Sequence, residues 1–286
     1  MHDCGWFIHS LTLAKSNEKI SDLMRRLITI LNILLICLSY GQTTEDIEKE
    51  SIFLFEKRNY FLNSRNEFPY DSIPDYNRKI EKFILKSTST NPETLNYEFK
   101  NLINIQNGLN IITSEDKLLR IYNWNTLEGG TMQFYKNVFQ YSYNGNVYSK
   151  LSKIESDDDD VSVNFYEIND LKIDDKNYYI TFSVFVASSA LYYFEANIFS
   201  IENRELIENV NLFKTKEGLT NSLGYEIDLT NSINQNRKNG IQLMENMDLV
   251  YDKKNKTIII PLIKDNGKLT NRKIKYKLKD KYFEKV

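Results

Sequence analysis

The chain holds only two histidines, His2 and His9, and two cysteines, Cys4 and Cys37. All four lie in or ahead of a stretch that reads as a secretion signal. Past residue 41 the sequence has no imidazole and no thiol. A mature chain starting there excludes histidine triads, thiol nucleophiles, Cys/His zinc sites and disulfides. Carboxylate, hydroxyl, amine and guanidinium chemistry remains, or no catalysis at all.

Four groups of residues are candidates for that chemistry. In Leu119–Trp124, alternation puts Leu119 and Ile121 on one strand face and Arg120, Tyr122 and Trp124 on the other. A guanidinium beside two aromatic rings suits an anionic or sugar ligand, bound by stacking and paired hydrogen bonds. The same pattern suits a face packed on apolar helices, with Arg120 stacked on Trp124, and aromatic strand faces are usually core. Glu226 and Asp228 share a face by period two, opposite Tyr225, Ile227 and Leu229. Two carboxylates are what a glycosidase needs, but a catalytic pair comes from facing strands across a cleft. Asp157–Asp160 offers oxygen ligands for calcium without the ordered loop spacing, and reads as a solvated hairpin tip. Lys273, Lys275, Lys277 and Lys279 alternate with Ile274, Tyr276 and Leu278. Such a row can meet an anionic envelope surface. On an edge strand it guards against edge-to-edge pairing, and that is the expectation. Gly129-Gly130 lacks the Lys-Ser/Thr and the helix of a phosphate loop and reads as a tight turn. No cofactor and no metal site is expected.

The elements that position these residues fall into two regions. Between residues 44 and 107 the apolar spacing is helical. Ile47, Ile52, Phe55 and Tyr60 mark one helix; Tyr76, Ile80, Phe83 and Ile84 mark a second. Asn91-Pro92-Glu93 carries the start signals of a third, with Leu95, Phe99, Leu102 and Ile103 as its stripe and Asn107-Gly108 at its end. From Leu109 the period changes to two. About a dozen strands follow, linked by short turns such as Ser114-Glu115-Asp116, Asn144-Gly145 and Lys253-Lys254-Asn255. Short links make antiparallel neighbours. The fold class expected is α+β: a short N-terminal helical region, then a large antiparallel β meander. Its closure is a sandwich or a strongly curved sheet, with a small propeller as the alternative.

Three segments follow: 1–41, an over-extended start plus signal peptide; 42–108, the helical region; and 109–286, the β domain. Arg25-Arg26 precedes Leu27–Leu38, a run that is apolar except for Thr29 and Asn32. It is shorter than the ~20 residues a membrane span needs. Ser39 and Gly41 set cleavage before Gln42. Lipidation at Cys37 is the competing processing, opposed by the bulky Ile36 before it. After cleavage 33 basic and 36 acidic residues remain, which leaves no electrostatic footprint for nucleic acid. Nineteen tyrosines and sixteen phenylalanines supply the core of a chain without disulfides.

The run Arg120-Ile121-Tyr122-Asn123-Trp124-Asn125-Thr126, followed by Gly129-Gly130-Thr131-Met132 and Phe139-Gln140-Tyr141, resembles a group of uncharacterised exported proteins of Gram-negative bacteria. Leu212–Lys216 and Lys281–Lys285 are similar to the same group. The resemblance implies export and carries no activity and no catalytic residue. The expectation is a periplasmic or secreted, non-catalytic protein that binds an envelope or extracellular protein or glycan. Nucleic acid is not a partner, and the membrane is met only through the signal segment before cleavage. The alternative is a carboxylate-dependent glycan hydrolase.

Overall fold

A computed structural model of the chain describes residues 24–27, 29, 42–64, 72–152, 163–230, 247–264 and 267–286. The cleavage position, most of the apolar signal run and Asp157–Asp160 lie outside the described residues. Met1–Thr43 and Thr44–Val286 are separate compact units. No helix among the described residues is long and apolar enough to cross a membrane.

Two helices open the larger unit. Helix α1 (Thr44–Asn63) starts with Glu45 and Asp46 in its first turn, where carboxylates complement the helix dipole. Its buried positions are Thr44, Ile47, Glu48, Ser51, Leu54, Phe55 and Arg58, a stripe spaced by threes and fours. Helix α2 (Ser72–Thr90) carries Pro74 in its first turn, where a missing N–H costs nothing. It buries Ile73, Ile80 and Ile84.

Among the described residues fifteen strands then form three sheets. Sheet A is the meander β1 (Asn110–Thr113), β2 (Leu119–Asn125), β3 (Tyr135–Tyr143) and β4 (Asn146–Leu151). Sheet B has the order β11 (Ser222–Asp228), β7 (Leu191–Glu202), β6 (Lys176–Val186), β5 (Asn164–Ile173), with β8 (Glu205–Ile207) also on β7. Sheet C has the order β10 (Gly218–Thr220), β9 (Phe213–Thr215), β15 (Tyr282–Lys285), β14 (Leu269–Lys279), β13 (Thr257–Ile263), β12 (Val250–Asp252). Only the β15–β9 pairing is parallel among the described strands. The β3–β4 turn shows why the hairpins are tight. Asn144 and Gly145 hold φ of 51° and 77°, the left-handed pair that matches strand twist.

Three apolar cores define the order of layers. Phe55, Ile80, Ile84 and Phe99 of the helical region meet Tyr122, Trp124 and Val138 on one face of sheet A. Leu119, Ile121 and Phe139 on its other face meet Phe165, Tyr179 and Phe199 of sheet B. The far face of sheet B, with Ile180, Phe182 and Ile198, packs on Phe213, Ile258, Ile260 and Phe283 of sheet C. The architecture is therefore helices, sheet A, sheet B and sheet C in succession. It is a β-rich α+β fold in which none of the sheets closes into a barrel.

Two expectations require correction. The third helix stops after one 3₁₀ turn, Pro92–Leu95. Its cap is as expected, because Asn91 Oδ1 accepts from the Glu93 amide at 3.0 Å. The chain is already out of the helix over Tyr97–Phe99, and Phe99 holds φ 48°. Glu48 of α1 takes the amides of Asn101 and Leu102 at 2.8 and 3.2 Å, so no further helical turn is needed to satisfy them. Leu95, Phe99 and Leu102 are still buried, while Ile103 is exposed. The second correction concerns β14. It is an edge strand only in part: β13 pairs it on one side, while on the other β15 covers Tyr276–Lys279 and leaves Leu269–Ile274, with Lys273, open among the described residues.

Candidate functional site

The Arg120–Tyr122–Trp124 face lies in the interior, under the helical region. Strand β2 is central in sheet A, held by β1 and β3. Trp124 is 1% exposed and Tyr122 0%. The Phe55 ring meets Trp124 edge-on with centroids 6.3 Å apart. Arg120 donates from Nη1 to the carbonyl oxygens of Thr94 and Tyr97, both at 2.6 Å, and from Nε to Thr113 Oγ1 at 2.7 Å. Its guanidinium lies 5.8 Å from the Tyr122 ring, in place of the stacking expected on Trp124. The Tyr122 hydroxyl lies 2.8 Å from both the Thr94 carbonyl oxygen and Gln140 Oε1. Gln140 Nε2 in turn donates to Thr88 O and Thr94 Oγ1. Burial pushes the Tyr122 phenol up to about 12, against the pull of Arg120. Arg120 and Tyr122 spend their donors on the Thr94 and Tyr97 carbonyl oxygens, Thr113 and Gln140. This face joins helix to sheet.

The polar centre that sequence reasoning missed sits beside it. Arg58 is fully buried on α1. Nη1 donates to Asn77 Oδ1 at 3.1 Å and to the Asn125 carbonyl oxygen at 2.9 Å, and Nη2 to the Asn107 carbonyl oxygen. Asn77 Nδ2 donates to the Thr126 carbonyl oxygen and to Glu128 Oε1 at 2.6 and 2.7 Å. Burial lowers the Arg58 guanidinium to about 10, opposed by the charge of Glu128. The Phe55 ring lies 4.9 Å from it. A signal was present in the sequence. Glu48, Ser51 and Arg58 occupy stripe positions of α1, where a polar residue must bring its own partner inside. The Gly129 backbone closes the adjoining turn; a Cβ there would fall 2.1 Å from the Met132 carbonyl oxygen.

The carboxylates do not converge on a cleft. Glu226 and Asp228 lie on β11, paired to β7 opposite Tyr193 and Leu191. Glu226 is exposed and bonds Tyr193, raising that phenol. Asp228 Oδ1 accepts from the Thr230 amide and hydroxyl. The buried acids are structural. Glu48 accepts from the Tyr97 hydroxyl at 2.9 Å besides the two amides, and Glu208 pairs Lys150 at 2.5 Å. Asp170 of β5 clamps the β1–β2 turn by accepting from the amides of Glu115 and Asp116 at 2.9 and 2.7 Å. Burial raises its carboxyl. Among the described residues no three acids, histidines or cysteines are placed to hold a metal.

Sheet C carries the open chemistry. Lys273, Lys275, Lys277 and Lys279 are all exposed on β14. Ile274, Tyr276 and Leu278, on its other face, pack into the core. Beside them lies a recess of ≈ 890 Å³ with Lys214, Lys216, Lys285 and Tyr276 among its walls. Lys214 is paired to Glu284 at 2.8 Å.

No family model, curated protein or solved structure matches the chain.

Proposed function

We propose that the chain is an exported, non-catalytic protein that binds an envelope or extracellular partner through the outer face of sheet C. One observation carries the reading. Lys277 and Lys279 stand where β15 lies alongside β14, and Val286 donates to the Lys275 carbonyl oxygen, so protection of an open sheet edge does not account for these three lysines. The Arg120–Tyr122–Trp124 face, the other candidate surface, is taken up by packing on the helices. The buried carboxylates Glu48 and Glu208 are held by structural partners, which supports a binding role over hydrolysis. The apolar run behind Arg25-Arg26 and the resemblance to exported proteins support export.

The test is retention of the protein on native envelope fragments. The wild type should be retained, and Lys275→Glu/Lys277→Glu should not. Equal retention of the two removes sheet C from the reading. Release of sugars from envelope glycan by the pure protein overturns the non-catalytic role. N-terminal sequencing of protein from the native host addresses export, with Gln42 expected as first residue.

A further inference from the structure

Resting on that reading, we infer that the partner of the sheet C face is an anionic lipid surface, met by the lysines of β14 together with exposed aliphatic side chains at the margins of the same face.

The register places these groups on one side of the sheet. Leu219, Lys214, Glu284, Lys277, Thr257 and Asp252 form a row across all six strands. Val250, Ile259 and Lys275 form a second, shorter row. Alternate residues of a strand are ~6.6 Å apart, so Lys273 to Lys279 spans ~20 Å. The carboxylates on this face offset part of the charge. Glu284 takes Lys214 at 2.8 Å and lies 3.9 Å from Lys279. Asp248 interacts with Lys273, whose ammonium is lowered by burial. Lys275 and Lys277 have no carboxylate within ion-pair distance among the described residues. The bias extends to the surrounding sequence. Residues 247–286 hold twelve basic residues against five acidic ones, in a chain of formal net charge −2.

Charge alone fits any polyanion. The aliphatic groups select the lipid. Leu219 at one margin is 50% exposed and Val250 at the other 49%. A soluble anionic polymer gains nothing from them. At a bilayer surface the ammonium groups lie among phosphates while the aliphatic groups enter the boundary with the acyl chains. The attachment is peripheral, and it adds a membrane contact beyond the signal segment.

The experiment is sedimentation with vesicles, using protein processed by a secreting bacterial host. Phosphatidylglycerol and phosphatidylcholine vesicles are compared at low and high salt. Wild type should bind only the anionic vesicles and be released by salt, because surface attraction decays within a Debye length. Each lysine near such a surface is worth about five-fold in partitioning, so Gln at 273, 275, 277 and 279 together should weaken binding by hundreds of fold. Gln at Lys49, Lys79, Lys82 and Lys86 of the helices removes as much charge and should leave binding unchanged. Leu219→Ser/Val250→Ser should weaken it with the charges intact. Circular dichroism confirms that each variant is folded. Binding that ignores lipid charge, or survives loss of the β14 lysines, overturns the inference. So does retention on an immobilised anionic polysaccharide without vesicle binding; in that case the sheet C reading stands and its ligand is a glycan. Envelope retention that survives Lys275→Glu/Lys277→Glu is the separate failure of the reading itself.

Discussion

Arg58 holds together three stretches far apart in sequence: Asn77 of α2, the Asn107 turn and the end of β2 at Asn125. Arg58→Met keeps an apolar stem and removes every donor. It should cost about 2–4 kcal/mol, since buried acceptors lose their partners. A loss below ~1 kcal/mol in urea unfolding would show that the acceptors find other donors. Trp124 tests packing without that complication, because its indole nitrogen is buried with no hydrogen-bond partner. Trp124→Ala should cost ~3–5 kcal/mol, and Trp124→Phe much less, because only the ring volume is in use. A Trp124→Ala protein as stable as wild type would contradict the interior placement of the β2 face. The two residues differ in legibility. Period two showed that Arg120, Tyr122 and Trp124 share a face. It could not show whether solvent or helix covers it, because that depends on where residues 44–107 pack.

At the scale of elements, the sequence was most legible where the hydrophobic period is long and uninterrupted. Helices α1 and α2 enclose the apolar stripes that mark them, and Ser114-Glu115-Asp116, Asn144-Gly145 and Lys253-Lys254-Asn255 each stand between two strands as expected. The reading failed where a distant side chain replaces a local bond. Asn91-Pro92 starts a helix by every local rule, yet Glu48 satisfies the amides that would have continued it. Glu48→Ala should therefore cost about 2–3 kcal/mol and loosen residues 97–107 first, which amide exchange would report. Uniform exchange across the chain in that variant would count against the assignment. Strand β14 was read as an edge strand throughout, which holds only for the part that β15 does not reach. Its alternation of lysine with apolar residues is legible, but sheet order is not. The strand that covers its open side, β15, owes its other neighbour to the distant pairing with β9. The row itself was legible as a surface for an anionic partner; only that order shows that part of it lies away from a sheet edge.

The described residues of Thr44–Val286 build three apolar cores in series, and the chain has no thiol beyond Cys37 and no histidine beyond His9. Its melting temperature should not respond to reductant or to zinc-selective chelators, and a shift of several degrees with either would contradict a fold held by packing alone. Alkali should destabilise it. Burial raises the phenols of Tyr122 and Tyr251 to about 12, and those of Tyr179 and Tyr225 higher still. An unfolded tyrosine ionises near pH 10. Below pH 10 both states keep their phenolic protons, so the stabilisation from these groups is fully present. As pH rises from about 10 to 12 the unfolded chain releases protons that the folded chain retains, and stability falls. The urea midpoint should drop steeply in that window. Phenolate absorbance should lag behind that of free tyrosine, then rise together with loss of the fold. Tyr122→Phe removes one of the linked protons. Its stability should fall less steeply with pH above 10 than that of wild type, even though the variant loses a hydrogen bond and starts lower. Parallel slopes for the two proteins would mean that the Tyr122 hydroxyl reaches solvent before the helices leave sheet A.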